Sequence, residues 1–169
     1  MKSYTLNNGV TIPVLGFGTW KAENGEIAYQ AVLEALKAGY RHIDTAAIYK
    51  NEESVGRAIQ DSGVPREEIF VTSKLWNTNH TYEQARQAFE ESLEKLGLEY
   101  LDLYLIHWPN PKPLRENNHW KIRNAEVWRA MEDLYQEGKI RAIGVSNFLP
   151  HHLDALLETA TIVPAVNQV

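Results

Sequence analysis

The chain has 169 residues, a length typical of one domain, and its 44% hydrophobic and 23% charged residues are those of a globular protein. Its net charge of −5 and its scattered basic residues give no electrostatic footprint for nucleic acid or an anionic membrane. The lack of cysteine excludes disulfides and thiolate metal sites, and the histidines are not clustered, so no metal centre is expected. Without an apolar leader or a span of ~20 apolar residues, we expect a soluble cytoplasmic protein.

Apolar periodicity and turn residues predict an N-terminal hairpin followed by six strands that alternate with five helices. Asn7-Asn8-Gly9 supplies the hairpin turn, because Asn-Gly readily takes the positive φ angles of tight turns. Thr81 and Gln84 form the pattern of a capping box that opens one helix. The predicted strands are Val14–Thr19, Arg41–Asp44, Glu68–Lys74, Leu101–Ile106, Ile140–Val145 and a last one that begins at Ala165. The predicted helices run from about Gly25 to Lys37, Asn51 to Gly63, Thr81 to Gly97, Asn118 to Gly138 and around Leu153–Leu157.

Strict alternation of strand and helix implies parallel strands joined by right-handed crossovers. Two folds compete, an open doubly wound sheet and a (β/α)₈ barrel. The first should carry Gly-x-Gly-x-x-Gly after its first strand, but Lys21 stands where the third glycine would follow Gly16 and Gly18. Polar residues at the ends of many strands favour the barrel. We therefore predict one α/β domain over residues 1–169, of the (β/α)₈ barrel class.

The chain is short for that fold. Eight units usually need ~250 residues, whereas six strands and five helices are predicted here. The sequence therefore predicts a barrel whose last units are missing, with the first and last strands as unpaired edges next to exposed apolar surface. Self-association through these open edges is expected as one way to bury them.

Polar side chains stand at or just after the ends of the predicted strands. They are Asp44 with Tyr49 shortly behind it, Lys74, His107, Ser146 and Gln168. Because the carboxyl ends of parallel strands meet at one face of a barrel, these residues predict a single shared active site.

Four of these residues suggest an acid catalyst. A free tyrosine has a pKa of about 10, and an adjacent ammonium lowers it while a carboxylate keeps that ammonium charged. Tyr49, tuned by Lys74 and Asp44, could then give a proton to a carbonyl oxygen. His107 could bind the same oxygen and orient the substrate. The natural hydride source would be a bound nicotinamide cofactor.

Plainer structural roles stand beside this hypothesis. Asp44 and Lys74 could form a buried ion pair that only satisfies itself. Tyr49 could be a rim tyrosine with its hydroxyl in water, and His107 a core histidine. Three tryptophans that follow strands could line a pocket or plug the barrel mouth: Trp20, Trp76 and Trp108. Since barrels with polar strand ends serve many chemistries, the pattern alone does not name the reaction.

The same residues lie in stretches that resemble the aldo-keto reductase family, and most closely its bacterial members grouped with diketogluconate reductases. The stretches follow the family's order over essentially the whole chain: Gly16-Phe17-Gly18-Thr19-Trp20, Gly39-Tyr40-Arg41-His42-Ile43-Asp44-Thr45-Ala46 with Tyr49, Thr72-Ser73-Lys74-Leu75-Trp76, Leu103-Tyr104-Leu105-Ile106-His107-Trp108-Pro109, Gly144-Val145-Ser146-Asn147-Phe148 and Val166-Asn167-Gln168. The resemblance implies a (β/α)₈ barrel that reduces aldehydes or ketones to alcohols with NADPH, or with NADH as the alternative.

The resemblance also implies residue roles. It makes Tyr49 the general acid, with Lys74 and Asp44 as its tuning pair. It makes His107 the group that orients the carbonyl. It places at the cofactor Gly18, Thr19, Trp20, Asp44, Ser146, Asn147 and Gln168, of which Ser146 and Asn147 bond the nicotinamide carboxamide and Gln168 packs against the ring. It places at the substrate Trp20, Tyr49, Trp76, His107 and Trp108.

The resemblance stops before the family's last two strands and their helices. In the family, a basic segment there binds the 2′-phosphate and adenosine of NADPH, and a following loop sets substrate choice. The leading expectation is therefore a C-terminally truncated aldo-keto reductase. The alternative is an inactive barrel fragment that self-associates or needs a complementing segment. A third hypothesis, a cofactor-sensing regulatory subunit, fits less well because a sensor has no need of the acid.

Overall fold

The computed structural model describes residues 2–169. It contains a six-stranded parallel sheet and a separate two-stranded antiparallel hairpin. The hairpin consists of β1 (Ser3–Thr5) and β2 (Thr11–Pro13). The sheet strands are β3 (Phe17–Gly18), β4 (His42–Asp44), β5 (Phe70–Leu75), β6 (Leu101–Ile106), β7 (Ile140–Ser146) and β8 (Asn167–Gln168). The helices are α1 (Glu26–Lys37), α2 (Glu52–Asp61), α3 (Tyr82–Leu96), α4 (His119–Gln136) and α5 (Pro150–Leu157).

The strand order identifies the wall of a barrel. From β3 to β8 each strand pairs in parallel with the next one in the chain, whereas a doubly wound sheet reverses its order at a switch point. Each helix contacts the next, from α1 and α2 through to α4 and α5, as expected for right-handed crossovers on one side of the sheet. The prediction of six strands, five helices and an N-terminal hairpin of an incomplete (β/α)₈ barrel is confirmed.

The main core lies between the strands and the helices. Every residue of β5 and β6 is buried, which is typical of parallel strands that are covered on both faces. The helices contribute large side chains to this core, among them Phe89, Leu96, Trp128 and Met131. The capping box predicted at the start of α3 is present, with Thr81 and Gln84 bonding each other's backbone N–H.

The hairpin closes the amino end of the barrel. Its turn places Gly9 at φ 85°, and Leu6 N donates to Val10 O at 2.8 Å. The Asn8 side chain donates to Arg141 O at 2.9 Å, which fastens the turn to β7. The apolar hairpin residues Leu6, Val10 and Ile12 pack on the inner cluster Phe70, Leu103, Leu105 and Ala142. The hairpin does not cover the opposite end of the barrel, at the carboxyl ends of the strands, where a functional site is expected.

Several element bounds differ from the prediction. The strand predicted at Val14–Thr19 is reduced to Phe17–Gly18, because its ladder partner β4 is only three residues long and Val14 N bonds Lys2 O instead. The loop after β6 contains two 3-10 turns, Lys112–Leu114 and Glu116–Asn118. The described part of the chain has no helix with the length and apolarity needed to cross a bilayer.

Strands β3 and β8 are the edges of the sheet and each has one neighbour within residues 2–169. Apolar side chains next to these edges are open to solvent, with Leu15 59% exposed before β3 and Val163 60% exposed before β8. The open edges expected from the sequence are therefore present.

Candidate active site

An ion pair lies at the centre of the site. Asp44 ends β4 and Lys74 lies near the end of the adjacent β5, so the parallel ladder brings the two side chains together. Lys74 Nζ contacts Asp44 Oδ1 at 2.6 Å and donates to Thr45 O at 3.0 Å. The lysine side chain is 3% exposed and the aspartate 14%, so this is a nearly buried charge pair. These two contacts fix the position of the lysine ammonium at the mouth of the barrel.

Tyr49 lies beside this pair, on the 3-10 turn Ala47–Tyr49 that follows β4. Lys74 Nζ is 5.2 Å from the centroid of the tyrosine ring. Burial raises the pKa of the Tyr49 phenol above its usual value, and the negative charge of Asp44 raises it further. The sequence predicted a lowered pKa, but the net shift is upward because burial and Asp44 outweigh any effect of Lys74, whose ammonium is directed to Asp44 and Thr45 O and lies near the ring face.

His107 follows β6 directly and is buried against two aromatic rings. Its ring centroid is 6.0 Å from that of Tyr49 and 5.2 Å from that of Trp76, both in edge-on geometry. Burial lowers the His107 pKa to about 4, and the charge of Lys74 acts in the same direction. The imidazole is therefore neutral at neutral pH, with one donor and one acceptor nitrogen. Its Nδ1 is buried and has no hydrogen-bond partner among the described residues.

Three polar side chains complete the mouth at the ends of β7 and β8. Ser146 Oγ donates to Gln168 O at 2.7 Å. Asn147, in the left-handed conformation with φ 61°, donates to His107 O at 2.9 Å. Gln168 Nε2 donates to Asp44 Oδ2 at 3.2 Å, while its Oε1 is buried without a partner among residues 2–169. These contacts link the ends of β4, β6, β7 and β8 around one point.

The other residues predicted for the site lie either in the wall of the barrel or at the rim of its mouth. Thr19 is buried and its hydroxyl donates to Asp44 O at 3.2 Å, so it supports the strand that carries the aspartate. Gly18 pairs with Asp44 across the β3–β4 ladder, and its α-carbon faces open space. Trp76 packs on His107, whereas Trp20 and Trp108 are 68% and 45% exposed. The structure therefore brings Trp76 to the centre and leaves the other two tryptophans at the rim.

Two buried polar residues next to Tyr49 were not predicted as part of the site. The Asn51 side chain is fully buried and donates to Thr19 O and Ala22 O, both at 2.9 Å. Glu52 is buried and accepts hydrogen bonds from two serine hydroxyls. Asn-Glu at the start of a helix predicts an N-terminal cap, but the Asn51 side chain makes no capping bond. Nothing in the local sequence pattern points to its distant partners.

The site thus provides a proton donor, an adjacent charge pair and a neutral imidazole around one mouth. Within residues 2–169, no group of three or more histidine, aspartate or glutamate side chains is arranged to bind a metal ion. The arrangement suits proton transfer to a polar group held between Tyr49 and His107.

Comparison with known proteins places these features in a family. The profile of the Aldo/keto reductase family matches residues 14–169. The chain is 57% identical over 164 residues to glyoxal reductase from Bacillus subtilis, covering 97% of this chain and 56% of that protein. An aldo-keto reductase structure from a Medee basin deep-sea metagenome superposes with a TM-score of 0.91 at 54% identity, covering 99% of this chain and 58% of the other. The structure of the Bombyx mori aldo-keto reductase in complex with NADP superposes with a TM-score of 0.86 at 43% identity, covering 98% of this chain and 57% of the other. The chain therefore spans little more than half the length of these relatives.

Proposed function

The chain belongs to the aldo/keto reductase family, and from this premise we propose that its site reduces aldehydes or ketones to alcohols with Tyr49 as the general acid. The observation that carries the proposal is the buried contact of 2.6 Å between Lys74 and Asp44, next to a phenol and a neutral imidazole. A small carbonyl compound is the expected substrate, as the name of the Bacillus subtilis relative indicates for that protein.

NADPH is the proposed cofactor, with NADH as the alternative, and when bound it supplies the hydride. The residues at the ends of β7 and β8 fit its nicotinamide carboxamide. Gln168 Oε1 is a buried acceptor without a partner in the described chain, which a carboxamide N–H group would satisfy. Ser146 and Asn147 lie within 3.1 Å of each other and add a hydroxyl and an amide. Gly18 and Trp20 would approach the cofactor from β3.

The proton comes from Tyr49. Burial and Asp44 raise its pKa, so the phenol keeps its proton at neutral pH until a carbonyl oxygen accepts it. As the proton leaves, negative charge develops on the phenol oxygen, and the nearby ammonium of Lys74 stabilises that charge. Asp44 holds the lysine side chain in place through its bond to Nζ.

His107 orients the carbonyl. A neutral imidazole can donate one N–H to the carbonyl oxygen without competing as an acid. Its backbone is fixed by Asn147, and its ring is confined between Tyr49 and Trp76. Such confinement lowers the entropic cost of reaching the reactive geometry.

The test is the loss of reduced-nicotinamide absorbance when the purified chain is mixed with NADPH, or with NADH, and a reactive aromatic aldehyde. We expect turnover that falls by on the order of 100-fold or more in Tyr49→Phe, the usual contribution of a general acid. Tyr4→Phe is the matched control, because Tyr4 is 67% exposed and lies on the hairpin. Equal rates in the parent and in Tyr49→Phe would refute the role of this tyrosine.

A second candidate is an inactive barrel fragment that self-associates or needs a complementing segment. The exposed edges β3 and β8, with open apolar side chains at Leu15 and Val163, support this candidate. A chain that is folded by circular dichroism but shows no turnover with either cofactor would favour it over the first proposal.

A further inference from the structure

Glu52 is a buried carboxylate that the proposed reaction does not use. We infer that it is a positioning residue that fixes the turn carrying Tyr49 to the strand carrying Lys74, and so sets the geometry between phenol and ammonium. The inference rests on the proposed role of Tyr49 and adds a residue that acts on it from the far side of the barrel wall.

The turn that carries Tyr49 has little to stabilise it by itself. The segment Ala47–Tyr49 is a single 3-10 turn without a buried residue, and it ends at Lys50 in the left-handed conformation with φ 56°. Its position must therefore be set by the residues on either side of it. Asn51 performs this task toward β3, through its bonds to Thr19 O and Ala22 O.

Glu52 performs the same task toward β5 and α3. Its Oε1 accepts from Ser73 Oγ at 2.6 Å, and its Oε2 accepts from Ser92 Oγ at 3.2 Å. Ser73 directly precedes Lys74 on β5, and alternate strand residues point to opposite faces. The serine therefore reaches the carboxylate outside the barrel while the lysine enters the site. One side chain thus couples the first turn of α2, immediately after Tyr49, to the lysine strand.

Stability alone does not explain a carboxylate here. Glu52 is 3% exposed, and no salt bridge within residues 2–169 includes it. Burial raises its pKa, while the two serine hydroxyls and the charge of Lys95 act against that shift. A buried carboxyl group without a contacting cation is costly, and an apolar side chain of similar size would avoid that cost. The two directed hydrogen bonds are what an apolar residue could not supply.

The test measures Tyr49 directly, without cofactor or turnover. The full chain is labelled with ¹³C at the ζ carbon of its eight tyrosines, and the Tyr49 resonance is assigned by its loss in Tyr49→Phe. The resonance is followed against pH in the parent, Glu52→Ala, Glu52→Gln and Glu53→Ala. Glu53 is the matched control, since it is an exposed carboxylate in the same helical turn.

In Glu52→Ala we expect the Tyr49 resonance to broaden or split and its pKa to fall toward the ordinary value of about 10, because a released turn admits water. Glu52→Gln keeps the shape and an oxygen acceptor, so it should retain most of the parent behaviour, and Glu53→Ala should retain all of it. An unchanged Tyr49 in Glu52→Ala would overturn the inference. The inference would also be overturned if Glu52→Gln changed the Tyr49 resonance as much as Glu52→Ala does, because the charge of Glu52 and not its hydrogen bonds would then control Tyr49.

If Glu52→Ala does not fold, the same titration is done on variants of the two serines that bond Glu52. Ser73→Ala removes the shorter bond, on the lysine strand, and should shift the Tyr49 resonance more than Ser92→Ala does. Equal or absent shifts would overturn the inference. Because the titration needs no hydride donor, a chain without reductase activity would still give a clear answer on Glu52, and the two proposals can fail separately.

Discussion

Asp44 and Lys74 serve the fold and the proposed chemistry with the same contact. The ammonium is almost fully buried and is satisfied by Asp44 Oδ1 and Thr45 O. The other oxygen of Asp44 accepts from Gln168 on the last strand. A self-satisfied ion pair is therefore compatible with the proposed tuning of Tyr49, since the bonds that satisfy Lys74 also set its distance from the tyrosine ring.

Removing the carboxylate should destabilise the protein. Asp44→Asn leaves the buried ammonium without its charged partner, and we expect the free energy of unfolding in urea to fall by about 3 kcal/mol. The control is Glu34→Gln, which breaks the exposed pair between Lys37 and Glu34 at 2.8 Å. Such surface pairs contribute well under about 1 kcal/mol. Similar losses of unfolding free energy in both variants would show that the buried pair stabilises the protein no more than an exposed pair does.

His107 should give the stability a pH dependence. Its pKa is about 4 in the folded chain against 6.5 for the ordinary imidazole, so between these values the unfolded chain binds more protons. Stability should then rise as the pH increases from 4 to 6.5. Burial also lowers the pKa of His42, of His80 and of His152, which adds to the same slope.

The contribution of His107 can be separated by substitution. We expect His107→Gln to have a shallower rise in the free energy of unfolding over pH 4 to 6.5 than the parent. Denaturant titrations at several pH values measure this slope. A variant whose slope equals that of the parent would show that His107 titrates at its ordinary pKa.

Helix α2 packs closely on its neighbour α3. It begins just after the turn of Tyr49 and packs on α3 at Gly56, where an added Cβ would lie 2.1 Å from Leu96 O. That contact is with backbone, which cannot move aside as a flexible side chain would. The close approach of the two helices keeps Glu52 within reach of Ser92 on α3. Helix packing therefore bears on the position of the turn as well as on stability.

Gly56→Ala should separate α2 from α3 and lower the free energy of unfolding by about 3 kcal/mol, the upper range for overpacked sites. Gly18→Ala is the control for stability, because its new Cβ would have no neighbour within 4 Å. Chemical denaturation of both variants measures the difference. A tolerated Gly56→Ala would mean that the two helices are free to move apart.

At the scale of the whole molecule, the six-stranded sheet has two unpaired edges. Strands β3 and β8 each lack a second neighbour among residues 2–169, and exposed apolar residues flank them. Unpaired strand edges next to apolar surface are sites of association between chains. The relatives are nearly twice as long as the part that this chain matches.

We therefore expect concentration-dependent association in sedimentation velocity. Leu15→Lys and Val163→Lys should each weaken it, because they place a charge beside an edge strand. Ile122→Lys is the matched control, since Ile122 is 64% exposed but lies on α4, between α3 and α5. A monomer at all concentrations would contradict the prediction.

Much of the fold and the main candidates of the site follow from the sequence alone. Apolar periodicity, helix-ending glycines and the Thr81 capping box determine the order and type of the elements, because these signals act over a few residues. The parallel alternation then brings Asp44, Lys74 and His107 to one mouth, since strand ends of a barrel meet there.

The tertiary structure alone decided which groups these residues contact. The bond of Glu52 to Ser73 and that of Asn147 to His107 O span 21 and 40 residues, and no local pattern encodes such pairs. The same is true of the raised pKa of Tyr49, which depends on burial and on the charge of Asp44. Secondary structure is set by neighbours along the chain, whereas burial and hydrogen-bond partners are set by neighbours in space.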